Sequence, residues 1–506
     1  MDVLRKSEIG PLTFGIEIEI HVPVLKVLED DPIQTALEFP SDDWYKRNCL
    51  FYTLEDGRKI PAMREDVTAI KEARRRVWDA LLLQFKETIE RPRGTVHPDI
   101  KVMIAETEHP MKATTNASSK EVSPPRNTLG NFIDGHYEVY SSWTVCKDES
   151  GCWYPKADGE LFLPGRVPPI GPERYSWFSI EIKSRVYKDL IAMKEDLQKV
   201  CDRIRSRFLV SINCGQGHNR TSTHVHVGRS GSWDPNQEGL PFNLIEMKKL
   251  ATAMYILELV LMEMHAAWKV DNHRYAAQLH GYTHLGRFCN PNELFEDSNL
   301  PIESESSRED VAYIPSDFDL NFRQCSEIKM YLHQSVRDGP YAAGIRMIWG
   351  ADDLTQLAWL LSGRERTRRG AFAPHGLVPS KENVIKSRHL NTIEFRHMHG
   401  SLDAEDIMNW VRIIEKIVSS STSISDEEYA KLMDDFNADG GGSINEVAND
   451  LGLTLAIKPK EQIARETSLP EVPNGKNERD RWSQIGPRIF LSNSRNDVGT
   501  LLNGLL

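Results

Sequence analysis

A chain of 506 residues and 57.7 kDa is long enough for one large catalytic body or for two to three ordinary domains. Its 62 basic and 74 acidic side chains leave a formal net charge of -12, which argues against a generic polyanion binder. A hydrophobic content of 40% supports a substantial core and sets the chain apart from disordered sequences.

The opening MDVLRKSEIGPLTF has no apolar run of signal-peptide length, and the most apolar helical stretch, Ala251 to Ala267, is interrupted by Glu258 and Glu263. Cysteines at 49, 146, 152, 201, 214, 289 and 325 form no CxxC pair and no dense framework. Reduced thiols and a cytoplasmic location are therefore expected, without membrane or nucleic acid as partner.

In chain order, Thr13 to Ile20 alternates Phe14, Ile16, Ile18 and Ile20 with Gly15, Glu17 and Glu19, the pattern of a strand with one apolar and one acidic face. Residues 26 to 62 show no clear pattern. Arg64 to Glu90 reads as an amphipathic helix, whose Arg74-Arg75-Arg76 run fits a solvated face. Residues 110 to 130 read as a loop, Tyr137 to Cys146 as a strand, and Tyr154 to Pro172 as a Gly- and Pro-rich loop. Trp177 to Lys183 is a strand and Tyr187 to Phe208 a long helix. A polar loop, Gly215 to Ser222, leads into the strand Thr223 to Gly228, and Leu244 to Trp268 is the most apolar helix.

Segment 291 to 320, acidic and serine-rich, reads as a surface excursion. Leu390 to His397 is a strand, followed by a helix from Ala404 to Val418 with Asp403 as its cap. The serines after Ser419 mark a boundary. Beyond it lie helices near 426 to 436 and 444 to 451 and a polar tail. The fold class is α+β with a largely antiparallel sheet.

Four of these strands put charge on one face. Glu17 and Glu19 sit roughly 7 Å apart by strand rise. Such carboxylates repel and call for a positive partner, met by a divalent cation with hard oxygen ligands or by surface salt bridges. His224, His226 and Gly228 share the face opposite Val225 and Val227. The imidazoles suit metal or phosphate, or a partly buried structural pair. Glu394 and Arg396 lie together before Ile393 and Phe395, either as a structural ion pair or as a metal ligand beside a phosphoryl-holding guanidinium. Glu181 and Lys183 are the fourth pair. Brought together, these faces would line one charged concavity suited to metal-bound polyphosphate.

FGIEIE at 14 to 19, SWTVCKDES at 142 to 150, EIKSR at 181 to 185, THVHVG at 223 to 228 and TIEFRHMHGSLDAEDIMNW at 392 to 410 resemble the amidoligases of the carboxylate–amine ligase superfamily, which includes glutamine synthetase and glutamate–cysteine ligase. The resemblance runs from about residue 12 to 418. It implies a glutamine-synthetase-like antiparallel sheet forming an open funnel flanked by helices, ATP and magnesium (or manganese) as cofactors, and amide formation through an acyl phosphate. On matching positions it implies Glu17, Glu19 and Glu181 as metal ligands and His224 with Glu394 at a second metal. His226 would touch the ATP phosphates, Arg396 would stabilise the phosphoryl group in flight, and Asp148 would contact substrate or take a proton from the amine. The third motif departs from the family's Glu-Leu-Val-Ser-Pro: Lys183 and Arg185 either alter substrate or cofactor binding or replace packing residues.

The resulting expectation is a catalytic domain over 1–418 with insertions near 26–130 and 291–320, and a helical extension with a polar tail over 419–506. The substrates are a small carboxylate and an amine, a protein side chain also qualifying as acceptor, and the insertions would either admit a bulky substrate or build a homo-oligomer contact. Two other readings remain: a cupin-like metal oxygenase using His224, His226 and Glu394, and a nucleotide-binding regulator without turnover. Asp435, Asn437, Asp439, Gly440 and Glu446 carry EF-hand spacing, but Gly442 at the eighth position favours a hinge or helix cap. The phosphate loop GxxxxGK[ST] is absent, and Cys214 with His218 is read as incidental.

Overall fold

A computed structural model describes residues 11–25, 51–53, 59–61, 67–92, 95, 97–104, 141–148, 175–208, 210, 221–229, 242–266, 276–289, 327–363, 370–377, 392–438, 442–458 and 462–463. The expected loops at 110–130, 154–172 and 215–220, the excursion at 291–320, Cys49, Cys152, Cys214, His218, Cys325, the side chains of Arg74–Arg76 and the polar tail after 463 lie outside them. The strands are β1 (Leu12–Leu25), β2 (Phe51–Thr53), β3 (Lys59–Pro61), β4 (Val102–Ile104), β5 (Trp143–Lys147), β6 (Tyr175–Lys183), β7 (Ser222–Arg229), β8 (Phe372–Ala373) and β9 (Ile393–His399). The fold is mixed α+β. Apart from β2 and β3, these strands lie in mixed β-sheet flanked by helices, and β2 pairs with β3 as a separate antiparallel ribbon inside the stretch that lacked a pattern.

The chain forms two compact units, one centred on Gly15–Thr221 and the other on Ser222–His399 with Glu405–Arg465. The first has the strand order β4-β5-β6-β1. β1 and β6 are antiparallel, as are β5 and β6, but β4 runs parallel to β5. The pairings are thus largely antiparallel, as expected, and β4–β5 is a parallel edge: the segment leading into β4 follows helix α1 (Val67–Glu90), whose end it rejoins through the Asp99 N–H on the Glu90 carbonyl.

Period two is kept on both central strands of this unit. Ile16, Ile18, Ile20, Ile180 and Ile182 are buried, and α1 and α2 (Leu190–Arg207) supply apolar partners. Phe85 of α1 stacks on Phe208 just past α2, and the Trp78 indole N–H donates to the Ser179 carbonyl. Asp189 caps α2 by accepting from the Ile191 N–H. β1 outruns the expected end at Ile20 because Val22 keeps the apolar parity, and it pairs as far as Leu25 with Tyr175.

The second unit holds β7-β9-β8, with β9 antiparallel to both neighbours. Its central helix α3 (Leu244–Leu261) is buried on nearly every side, so its apolar residues follow no single stripe. A capping box of Asn243 and Glu246 starts it, and Arg229 at the end of β7 donates to both Glu246 oxygens, at 2.9 and 2.6 Å. Glu258, fully buried in α3, accepts from the His280 backbone N–H and faces the His397 imidazole at 3.6 Å.

Helix α4 (Ala342–Gly350) packs on α3, as does α6 (Asp426–Ala438), where the Tyr429 hydroxyl donates to the Lys249 carbonyl. Between them in the chain, α5 (Ala404–Thr422) runs through the serines where a boundary was expected. These later helices thus share a compact unit with β7 and β9. Asp435 is helical within α6. Glu446 bonds back to the Ser443 N–H in the capping box of α7 (Ile444–Asp450), and Gly442 takes φ +56 just before it. Glu446 thus serves in a helix cap, whereas Asp439 and Gly440 of the EF-hand spacing lie outside the described residues.

Close approach of α4 to α3 depends on Gly344: a Cβ there would lie 2.3 Å from the Tyr255 ring. Gly344→Ala is expected to destabilise the protein by about 1–3 kcal/mol through overpacking, measured by urea denaturation. An unchanged midpoint would contradict this packing.

Candidate functional site

The polar face of the first unit is built by register. Glu17 lies opposite Lys183 and Glu19 opposite Glu181, while Cys146 pairs with Glu181 on its other side and Thr144 with Lys183. Because the buried isoleucines alternate with them, all four predicted charges point away from the core. Glu19 and Glu181 each offer a carboxylate oxygen within 4.8 Å of the other.

The positive partner that the paired glutamates require is present within the chain. Lys183 Nζ lies 2.9 Å from Glu17 and 3.0 Å from Glu181. Despite that ammonium, burial raises the Glu181 carboxyl to about 7, with the Glu17 and Asp148 charges adding to the rise. The Lys183 ammonium is correspondingly held well above its ordinary range by Glu17 and Glu181, which outweigh its burial. Asp148 follows β5 directly, its N–H on the Ser179 carbonyl, so it stands by the same carboxylates.

Cys146 was not expected here. Its thiol lies 3.3 Å from a Glu181 oxygen and is pushed up from the usual thiol range, mainly by burial and then by the Glu181 charge. Period two in Thr144-Val145-Cys146 carries the signal that places it on this face. Arg185 behaves differently from its neighbour Lys183. It pairs with Asp196 of α2 and lies over the Tyr187 ring, whose hydroxyl donates to Asp196 and accepts from the Trp143 indole. Arg185 is thus tied to α2, whereas Lys183 belongs to the charged face.

In the second unit, β7 and β9 bring His224, His226, Glu394 and Arg396 together. His226 lies opposite Glu394 in register, and its Nδ1 is 3.3 Å from the Thr392 hydroxyl. His224 Nδ1 is 3.3 Å from Glu394, which also pairs with the Arg396 guanidinium. Val225, Val227, Ile393 and Phe395 are fully buried behind them, as the alternation predicts.

The register shifts between Thr223 and Val225: Met398 and Phe395 are their partners, so Arg396 and His397 oppose His224 alone. Glu394 and Arg396 share the polar parity, with the guanidinium on the carboxylate, and His397 keeps the core parity of Ile393 and Phe395, beside Glu258. A bulge leaves no periodic signature, and it was not expected from the sequence. Thr392, by contrast, has the parity of Glu394 and Arg396 and was legible.

Both polar faces have the chemistry to hold cations. Carboxylate oxygens at Glu19 and Glu181 suit a hard divalent ion such as magnesium, and an imidazole with a carboxylate at His224 and Glu394 also suits the somewhat softer manganese. His224, His226 and Glu394 are not among the three-residue ligand groups formed by the described residues, so the facial set of an oxygenase gains no support. Among the described residues no helix is long and apolar enough to cross a membrane. No family model, no curated protein and no solved structure matches the chain.

Because the folded state favours the protonated Glu181, whose ordinary value is 4.5, its contribution to stability is fully present below pH 4.5 and is lost as pH rises through about 7. In chelator, thermal stability is expected to decline across that window, and Glu181→Gln is expected to flatten the decline. A wild-type profile already flat between these pH values would contradict the burial of this carboxyl.

Proposed function

We propose that the protein is an ATP- and magnesium-dependent ligase that joins a carboxylate to an amine through an acyl phosphate, on a glutamine-synthetase-like scaffold. The observation that carries this reading is the pairing of Glu19 with Glu181 on strands whose other face is core. Carboxylates held that close, with one raised to about 7, form a site short of positive charge. The resemblance of the motifs supplies the reaction class. The catalytic part would be 1–418, with the segment after 419 as an extension.

In this reading Glu17, Glu19 and Glu181 hold one magnesium ion, and His224 with Glu394 holds another. Magnesium, when bound, neutralises the phosphate charge that would repel an incoming carboxylate. The Arg396 fork is set by its pair with Glu394 and offers its remaining donors to the phosphoryl group in transfer. His226, oriented by Thr392, and Lys183 donate to phosphate oxygens. The substrate carboxylate attacks the terminal phosphorus and ADP leaves. The amine, having given a proton to Asp148, then adds to the acyl carbon, and phosphate departs from the tetrahedral oxyanion.

The acceptor is a small amine or a protein side chain, and the location is the cytoplasm. Screening paired acids and amines should reveal ADP release that requires magnesium and both substrates, with the condensed product visible by mass analysis. Arg396→Ala is expected to lose that release by about a hundredfold or more while retaining its circular dichroism spectrum. Wild-type turnover in that variant would remove Arg396 from the mechanism. Nucleotide binding without ADP release for any pair would favour a regulator, and iron-dependent oxygen uptake an oxygenase.

A further inference from the structure

Lys183 is placed where a metal would go. Its ammonium touches Glu17 and Glu181, both assigned above as ligands, and its side chain is still 40% exposed, so it can leave toward solvent without crossing the core. The carboxylates are anchored from behind. Ser184 ties the end of β6 to β1 through bonds to the Ile16 N–H and from its own N–H to the Ile16 carbonyl, each at 2.8 Å. Glu17 and Glu181 therefore keep their spacing, whereas the four-carbon stem of Lys183 is the part free to move.

We infer that Lys183 is a built-in cation latch: in the metal-free protein its ammonium bridges Glu17 and Glu181, and a divalent ion must displace it. This rests on the metal-binding reading above and deepens it. One ammonium supplies a single positive charge to a face that carries Glu17, Glu19, Glu181 and Asp148, so a doubly charged ion competes favourably but pays for breaking the existing pairs. Once released, the ammonium can reach a nucleotide phosphate. Metal loading and nucleotide capture would thereby be coupled through one side chain, with the metal-free face closed to phosphate.

The experiment is a manganese titration without nucleotide, followed by calorimetry, on the full-length wild type, Lys183→Met and Lys183→Gln. Both variants are expected to bind manganese about tenfold more tightly, the scale of ion pairs that no longer need breaking. In parallel, acetylation of Lys183 in the wild type, read by mass spectrometry, should accelerate severalfold when manganese is added. This second readout serves even if a variant misfolds. Equal manganese affinity in wild type and variants, or acetylation indifferent to manganese, would overturn the latch and leave the metal site standing. Absence of manganese binding in all of the proteins would overturn both.

Discussion

The separation of charge from core by strand period two is the constraint on which the site depends. β1 and β6 each alternate isoleucine with a charged residue, and the isoleucines are completely buried. Removing several such side chains from water contributes about 1.5–3 kcal/mol each, far more than the repulsion among partly solvated carboxylates costs. A one-residue slip would bury Glu17, Glu19 and Glu181 and expose the isoleucines, so the register that pairs Glu19 with Glu181 is fixed by the opposite face. The charged face exists because the apolar face cannot be arranged otherwise.

Among the described residues of the second unit, buried charged groups meet partners as well. Arg229 grips Glu246 with both nitrogens and lies over Phe242, joining the end of β7 to the start of α3. Glu258 is met by the His280 backbone and His397. Breaking one member of such a pair leaves the other charge stranded at a cost of several kcal/mol, which makes these contacts determinants of geometry more than of net stability. Arg396 and Glu394 belong to the same class, yet they lie on the polar parity of β9 with His224 beside them. The guanidinium is thereby pre-set rather than searching among rotamers, which is what the proposed role of holding a phosphoryl group would require.

Much of this was legible. Long periodic elements such as α1, α2, β1 and β6 are written in the spacing of their apolar residues, α3 in its unbroken apolar content, and Glu17, Glu19, Glu181, His224, Glu394 and Arg396 follow from alternation. The short helices between 328 and 360, including α4, were not, because a four- to nine-residue element offers too little repeat for a period to show. The parallel β4–β5 edge depends on contacts distant in sequence, and the bulge in β9 on a two-against-one register. The role of Lys183 lay between these cases. Its parity was evident, but its ion pairs depend on which strand adjoins β6. Arg185, only two residues further, turns instead to α2, since the chain has left the strand by then.

The most direct test is crystallographic: growing crystals with manganese and a non-hydrolysable ATP analogue and mapping the anomalous signal. The account requires manganese at coordination distance from Glu19 and Glu181 and from His224 and Glu394, with nucleotide phosphates bound to the metal and to Arg396. Manganese found only at other residues, or nucleotide bound away from these side chains, would contradict it.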